Sequence, residues 1–386
     1  MTFTIGIVSD RVEPYFFGGY EHQIYNLATA LSAREEVHVY TSLEKMIERK
    51  DNITFHKIIT NNFKASMFSR NYYHSMLFSL LLSFKVRNII KNDIIIFEAI
   101  PYLHLLLFPL FSIFRRQKLV LKIDEAWFSY TDKPGFLGKL ELTLIKLLIK
   151  IALKYSDLVI VNNTPTSDTL IYNFGMNNEK IIIAPLALNL KRILNYKISS
   201  SIKKYDAIYV GRLSSIKHVE DLIRASYNLK KNYFINLSVA VVGDGEQMKW
   251  LKRLTLSLNL DVTFFGYVEE QRKFQLLSES KFFVLPSIRE GLSISTLEAQ
   301  FSGIPCIVAE PLHREVFGPS DFIKDNYNGL YYKAGDVDDL TEKIFYLMKN
   351  PEEISRLSLN ALNDFNGYDF DFLANKIINR MVTSDF

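Results

Sequence analysis

Residues 282–305 read FFVLPSIREGLSISTLEAQFSGIP. An apolar run ends at Leu285, a polar turn containing Gly291 follows, and a helical pattern opens near Ser293. The order strand, turn, helix is the βα unit of a parallel sheet, and its turn lies at the carboxyl end of the strand, where such sheets bind ligands. The first amides of a helix have no intrahelical partner and point outward, so the turn suits a phosphate. Glu290 lies in the turn and Glu298 about one and a half turns into the helix. Carboxylates repel phosphate unless they accept hydrogen bonds from hydroxyl groups. A ligand with phosphate in its middle and hydroxyls at both ends, a nucleotide sugar, matches that layout. The plainer alternative is a first-turn glutamate favoured by the helix dipole together with a solvent-facing one.

Similar units extend in both directions. Val210-Gly-Arg-Leu-Ser-Ser-Ile-Lys217 again follows a strand, and Arg212 and Lys217 lie five residues apart across the turn, within reach of one diphosphate. An exposed charge pair at a helix start is the competing reading. Pro14 to Glu21, PYFFGGYE, sets Gly18 and Gly19 before a helix, where backbone approaches a ligand closely or merely turns. In the first half, strands are expected at Phe3–Val8, Val37–Tyr40, Ile53–Lys57, Ile94–Phe97, Leu119–Ile123, Leu158–Val161 and Ile181–Ala184. Helices are expected at Gly19–Ser32 and at about 67–91, 103–115 and 136–155. Asn189–Lys204 is polar and aperiodic and reads as a linker. A second set of strands follows at Ala207–Val210, Leu237–Val242, Val262–Phe264, Phe282–Leu285 and Ile304–Val308, with a helix at about 338–348. The expected organisation is two facing doubly wound α/β domains, 1–188 and 205–366. A terminal helix within 367–386 returns to the first domain.

Composition bounds the function. A chain of 386 residues with 48% hydrophobic and 23% charged residues has enough apolar content for two cores. Forty-six Lys and Arg against 42 Asp and Glu give +4, too little for a nucleic-acid partner. The single cysteine, Cys306, excludes an internal disulfide and a cysteine-based metal site, and suits a cytoplasmic setting. Met1–Asp10 lacks a basic leader and reads as the first strand. The apolar run Leu103–Phe114 is too short to span a bilayer.

The GGxE helix start, the GRLxxxK turn, Val242-Gly-Asp-Gly245, Gly266 after a strand, the E-x7-E element and Ser302-Gly-Ile-Pro305 occur in this order over nearly the whole chain. In that combination the chain resembles the GT4 family of retaining glycosyltransferases, whose architecture is called GT-B. The resemblance implies transfer of a sugar from a nucleotide-diphosphate donor, bound by the second domain, to a glycan or lipid-linked acceptor on the side of the first; the seven histidines are scattered without ligand spacing, so no metal is expected, nor any other cofactor. It assigns the donor diphosphate to Arg212 and Lys217, the ribose to Glu298 and the transferred sugar to Glu290. Further donor contacts fall on Gly18, Gly19, Leu292, Ser293 and Ile294. The chain departs from the family at Asp124-Glu125, where His-Asp is common, at Pro185-Leu-Ala187, and at Ser293, which replaces a glycine.

Asp124 follows the strand Leu119–Ile123 and is expected at a ligand site, where an ionised carboxylate orients a hydroxyl or accepts its proton. Capping of the next turn is the alternative. Asp336-Val-Asp338 and Asp369-Phe-Asp371 precede helical patterns and read as N-caps. Lys146, Lys150 and Lys154 form an i, i+4 stripe on the apolar helix Leu140–Tyr155. Snorkelling lysines on a buried helix explain them, or peripheral docking on the cytoplasmic face of a membrane. Rival functions are a GT-B-like epimerase or phosphorylase, and a non-catalytic nucleotide-sugar-binding protein.

Overall fold

The structure, a computed structural model, describes residues 3–12, 19–43, 47–50, 52–60, 72–113, 117–126, 128, 135–184, 202–288, 290–310, 318–364 and 370–383. The expectations for Gly18, for 67–71, for Pro185–Ala187, for Asp369 and for most of the linker lie outside them. The chain divides into two compact units, Met1–Ala187 with Tyr368–Phe386, and Leu188–Gly367.

In the first unit, β1 (Thr4–Val8), β2 (Glu36–Leu43), β4 (Ile53–Thr60), β5 (Ile94–Glu98), β6 (Lys118–Ile123), β7 (Leu158–Val161) and β8 (Ile181–Ile183) are parallel; β3 (Ile47–Lys50) pairs antiparallel with β4 at the edge. The order is β3-β4-β2-β1-β5-β6-β7-β8. The strands are apolar on both faces because each face is covered by helices. Helices α2 (Tyr72–Leu82), α3 (Phe108–Ile113), α4 (Gly135–Tyr155) and α5 (Thr164–Phe174) cover one face. Helix α1 (Gly19–Ser32) and the C-terminal helix cover the other, with Ala374, Ile377 and Met381 in the same core as Ile24, Leu27 and Leu31. Lys118 donates to the Met381 carbonyl at 2.5 Å and Lys376 to the Ile183 carbonyl at 3.1 Å, which ties the terminal helix to this unit. The expected helices at 67–91 and 103–115 are shorter: α2 gives way to a 3-10 turn at Ser83–Lys85, and α3 is preceded by a 3-10 segment, Tyr102–Leu107.

A cross-strand histidine pair sits on β2 and β4. His38 Nδ1 and His56 Nε2 share a hydrogen bond of 2.9 Å, and the His56 ring stacks on Tyr40. Burial, and then the neighbouring His38, lower the His56 pKa from 6.5 to about 4. The unfolded chain therefore binds a proton that the native chain refuses. Stability is complete above about pH 6.5 and falls as the pH drops towards 4. The ceiling is about 3 kcal/mol, nearer about 1 kcal/mol for a half-buried ring. Urea titrations in that window should give a shallower pH slope for His56→Gln than for the unaltered chain; equal slopes would contradict this.

The second unit contains β9 (Tyr205–Val210), β10 (Val239–Val242), β11 (Val262–Gly266), β12 (Ser280–Leu285), β13 (Cys306–Glu310) and β14 (Gly329–Lys333), all parallel, in the order β11-β10-β9-β12-β13-β14. Its helices are α6 (Val219–Tyr233), α7 (Met248–Ser257), α8 (Glu270–Ser278), α9 (Ile294–Phe301), α10 (Val337–Lys349) and α11 (Pro351–Asn363); the C-terminal helix is α12 (Phe370–Thr383). Asp336 caps α10, accepting from the amides of Asp338 and Asp339, as its sequence position implied. In each unit the strand order reverses beside the first strand, between β1 and β5 and between β9 and β12, and ligand crevices in such sheets open at that point.

Candidate active site

In the second unit the loops after β9 and β12 flank the reversal, and they carry the residues that the sequence marks. After β9 the chain runs through Gly211 and the exposed Arg212 to a 3-10 turn, Ser215–Lys217, which ends at His218 with φ 49°. After β12 it reaches Glu290, the buried Leu292, and Ser293, which caps α9 in a left-handed conformation with φ 56°. That backbone angle explains why a glycine would suit position 293. Its hydroxyl bonds the Thr296 hydroxyl at 2.6 Å.

The β9 loop rests on the β10 loop. The Gly211 amide donates to the Val242 carbonyl at 3.0 Å, that of Leu213 to Asp244 at 2.9 Å, and that of Gly243 to Gly266 at 2.8 Å. Beneath the loop the buried Tyr209 hydroxyl donates to the Arg212 carbonyl at 3.0 Å. Burial raises the Tyr209 pKa well above its ordinary value; Glu290 adds to this and Arg212 opposes it.

Both glutamates have lysine partners. Lys217 Nζ lies 2.6 Å from Glu290 Oε1, joining the two loops across the reversal point. Lys273, on α8, lies 2.5 Å from Glu298 Oε1. Glu298 is 3% exposed, so the solvent-facing alternative fails. No motif in the sequence marks Lys273, a lysine on a helix 25 residues from its partner.

Asp124 belongs to the first unit, at the carboxyl end of β6, in a buried polar cluster. Lys122, fully buried two residues earlier on the same strand face, hydrogen-bonds Asp124 Oδ1 and lies 3.3 Å from Glu98 Oε2 at the end of β5. Burial pulls the Lys122 pKa down, but Asp124 and Glu98 outweigh it and leave the pKa raised, so the lysine stays charged. Asn162, directly after β7, donates to Asp124 Oδ1 at 2.7 Å and to Gln23 Oε1 on α1 at 2.8 Å. Asp124 Oδ2 and Asn162 Oδ1 are buried without a hydrogen-bond partner, at a cost of about 1–3 kcal/mol each. Lys122 was open to sequence reading, since a lysine inside an apolar strand needs a countercharge and Asp124 is the next residue on that face. Gly19 opens α1 after β1.

Two parallel, doubly wound α/β units with a terminal helix returned to the first define the GT-B class. Residues 17–192 match glycosyltransferase family 4 and residues 194–364 match glycosyl transferases group 1. The chain belongs to this family and is a glycosyltransferase. It is 25% identical over 344 residues to an uncharacterized glycosyltransferase of Methanocaldococcus jannaschii, covering 86% of each chain. It is 25% identical over 266 residues to the N,N'-diacetylbacillosaminyl-diphospho-undecaprenol alpha-1,3-N-acetylgalactosaminyltransferase of Campylobacter jejuni, covering 66% of this chain and 68% of that one. The Anabaena protein HepE, solved with UDP and glucose, superimposes with a TM-score of 0.71 over 98% of both chains at 17% identity.

Proposed function

We propose that the chain transfers a sugar, with retention of anomeric configuration, from a nucleoside-diphosphate donor held by the second unit to a lipid-linked or glycan acceptor. The observation that carries this reading is the convergence of Arg212, Lys217, Glu290 and the amino end of α9 at one reversal point. As the glycosidic bond breaks, negative charge collects on the departing diphosphate. Fixed cations and first-turn amides stabilise that charge more in the transition state than in the ground state. Once a diphosphate takes the Lys217 ammonium, Glu290 is left as an acceptor for a sugar hydroxyl, while Glu298, oriented by Lys273, accepts from ribose.

Glu298→Ala is therefore expected to weaken binding of the nucleoside diphosphate and of the nucleotide sugar alike, about tenfold. Glu290→Ala is expected to weaken only the nucleotide sugar. Calorimetry with both ligands reads the split, and equal losses for both ligands in both variants would refute it. Retention is read from the anomeric coupling of the product by NMR.

A lipid-linked acceptor and peripheral membrane contact are supported by the outer face of the first unit. Helix α4 buries Leu142, Ile145, Ile149 and Leu153 inward, yet its outer side is also apolar, with Phe136 and Leu137 79% and 78% exposed. Met76, Leu80 and Ile113 on the adjoining α2 and α3 are exposed too, and Lys150 and Lys154 lie on the exposed part of α4. Apolar surface of this extent beside basic residues suits an anionic bilayer. Among the described residues no helix is long and apolar enough to cross a membrane. The Campylobacter relative is named for a diphospho-undecaprenol substrate, which agrees with such an acceptor. Flotation with phosphatidylglycerol vesicles should carry the protein at low salt and carry Leu137→Asp/Leu144→Asp less; absence of binding at low salt would end this part of the reading.

A further inference from the structure

Gly211 opens the loop that carries Arg212, and its own backbone does not explain why it is a glycine. Its φ lies outside the left-handed region, so a side chain there would cause no backbone strain. The obstacle is another side chain: a Cβ at position 211 would lie 2.7 Å from the Tyr209 hydroxyl oxygen and 3.1 Å from the ring carbon that bears it. Tyr209, two residues earlier on β9, is 1% exposed, and its ring belongs to the core that holds Leu222 and Phe282. A ring packed at that density has nowhere to swing. The same hydroxyl donates to the Arg212 carbonyl at 3.0 Å. That carbonyl also accepts from the Ser214 amide at 3.1 Å, so losing the hydroxyl leaves it satisfied and costs little stability. What the hydroxyl fixes is direction. Carbonyl and side chain leave the same residue, so a carbonyl held against the core sends the Arg212 side chain outward, where it is exposed.

We infer that Tyr209 is a positioning residue for the transfer reaction: its hydroxyl aims Arg212 through the Arg212 carbonyl, and it is the reason that position 211 is a glycine. This rests on the assignment of Arg212 to the donor diphosphate. In that role Arg212 acts on charge that grows as the glycosidic bond breaks, and a misplacement of about 1 Å in such a group costs up to about a hundredfold in rate. The loop is pinned from two sides. Its Gly211 and Leu213 amides are bonded to the β10 loop, and the carbonyl between them is bonded to Tyr209. Tyr332 on β14 provides the comparison. It is 1% exposed in the same core, but its hydroxyl has no hydrogen-bond partner among the described residues, and β14 is the edge strand, three places from β9.

The test is a pair of double-variant cycles on the full chain, read by turnover and by calorimetry with UDP and GDP. Tyr209→Phe is expected to lower kcat about tenfold while changing nucleoside-diphosphate affinity less than about twofold, the split of a group that acts in the transition state. In the Arg212→Ala background it should lower kcat no further, because a hydroxyl that acts through Arg212 has nothing left to aim. Tyr332→Phe removes a hydroxyl from the same core and should leave kcat unchanged. Gly211→Ala should weaken nucleoside diphosphate about tenfold or more, and adding Tyr209→Phe should bring the affinity back to within about threefold, since the new Cβ then faces only ring carbon. Three results would overturn the inference: equal kcat losses from Tyr209→Phe with and without Arg212, equal losses from Tyr209→Phe and Tyr332→Phe, or a Gly211→Ala defect that Tyr209→Phe does not relieve. Failure of the transferase reading is seen separately, as no turnover by the unaltered chain with any donor and acceptor. The cycle of Gly211→Ala with Tyr209→Phe then still decides whether the hydroxyl shapes the loop, by nucleotide affinity or, without nucleotide binding, by melting midpoints.

Discussion

Lys217→Ala is expected to lower turnover by at least a hundredfold, and by more than Arg212→Ala. Each replacement removes a cation from the growing charge of the diphosphate, an effect of about 3 kcal/mol for one preorganised contact. The two positions differ in what is left behind. Arg212 is exposed, whereas Lys217 is bonded to Glu290, which is buried. Without Lys217, that carboxylate stays unpaired beside the diphosphate and opposes it. The double variant Lys217→Met/Glu290→Gln should therefore bind nucleoside diphosphate more tightly than Lys217→Met alone, though it remains slow. Steady-state turnover and calorimetric affinity read the two effects. Unchanged turnover in folded Arg212→Ala and Lys217→Ala would contradict the assignment, and a double variant no better than the single would contradict the repulsion.

Gly243→Ala should abolish nucleotide binding although Gly243 holds no charge and no hydroxyl. Its φ is +128°, a conformation closed to side chains, and an added Cβ would lie 1.9 Å from the Gly211 carbonyl oxygen. The obstacle is backbone, so the β9 loop must move, and Arg212 moves with it. A loss of roughly 3 kcal/mol or more in stability is expected, with nucleotide affinity down about a hundredfold. Gly335→Ala is the control: it has φ +77° but open space around the added Cβ, so it should cost only about 1 kcal/mol and leave the nucleotide bound. Near-normal nucleotide affinity in Gly243→Ala would show that the stacked loops do not position the donor site.

The βα units were legible because strands buried on both faces read as short apolar runs ended by turn-forming residues, as Val239–Val242 is by Gly243 and Leu158–Val161 by Asn162-Asn163. β3 was not, since Ile47-Glu-Arg-Lys50 is a charged edge strand with no apolar run and owes its conformation to the hairpin with β4. The starts of α5 and α11 are marked by Asn163 followed by Pro165 and by Asn350 followed by Pro351, a cap residue with proline in the first turn. Arg212, Lys217, Glu290 and Glu298 were legible because each sits where a strand ends and a helix begins. Lys273 and Asn162 lie outside any such pattern and matter through the partner that folding brings beside them, Glu298 in one case and Asp124 in the other.

The most direct measurement of the central claim is a panel of nucleotide sugars incubated with the purified chain and prenyl-diphosphate-linked or glycan acceptors, scored for nucleotide release and then for product mass and anomeric configuration. The account predicts that at least one donor gives stoichiometric nucleoside diphosphate and a product heavier by one sugar residue with the donor's anomeric configuration. It also predicts that Lys217→Ala loses both signals together. Interconversion of the sugar without transfer, transfer from a sugar phosphate in place of a nucleotide sugar, or tight nucleotide-sugar binding with no product from any acceptor would contradict it.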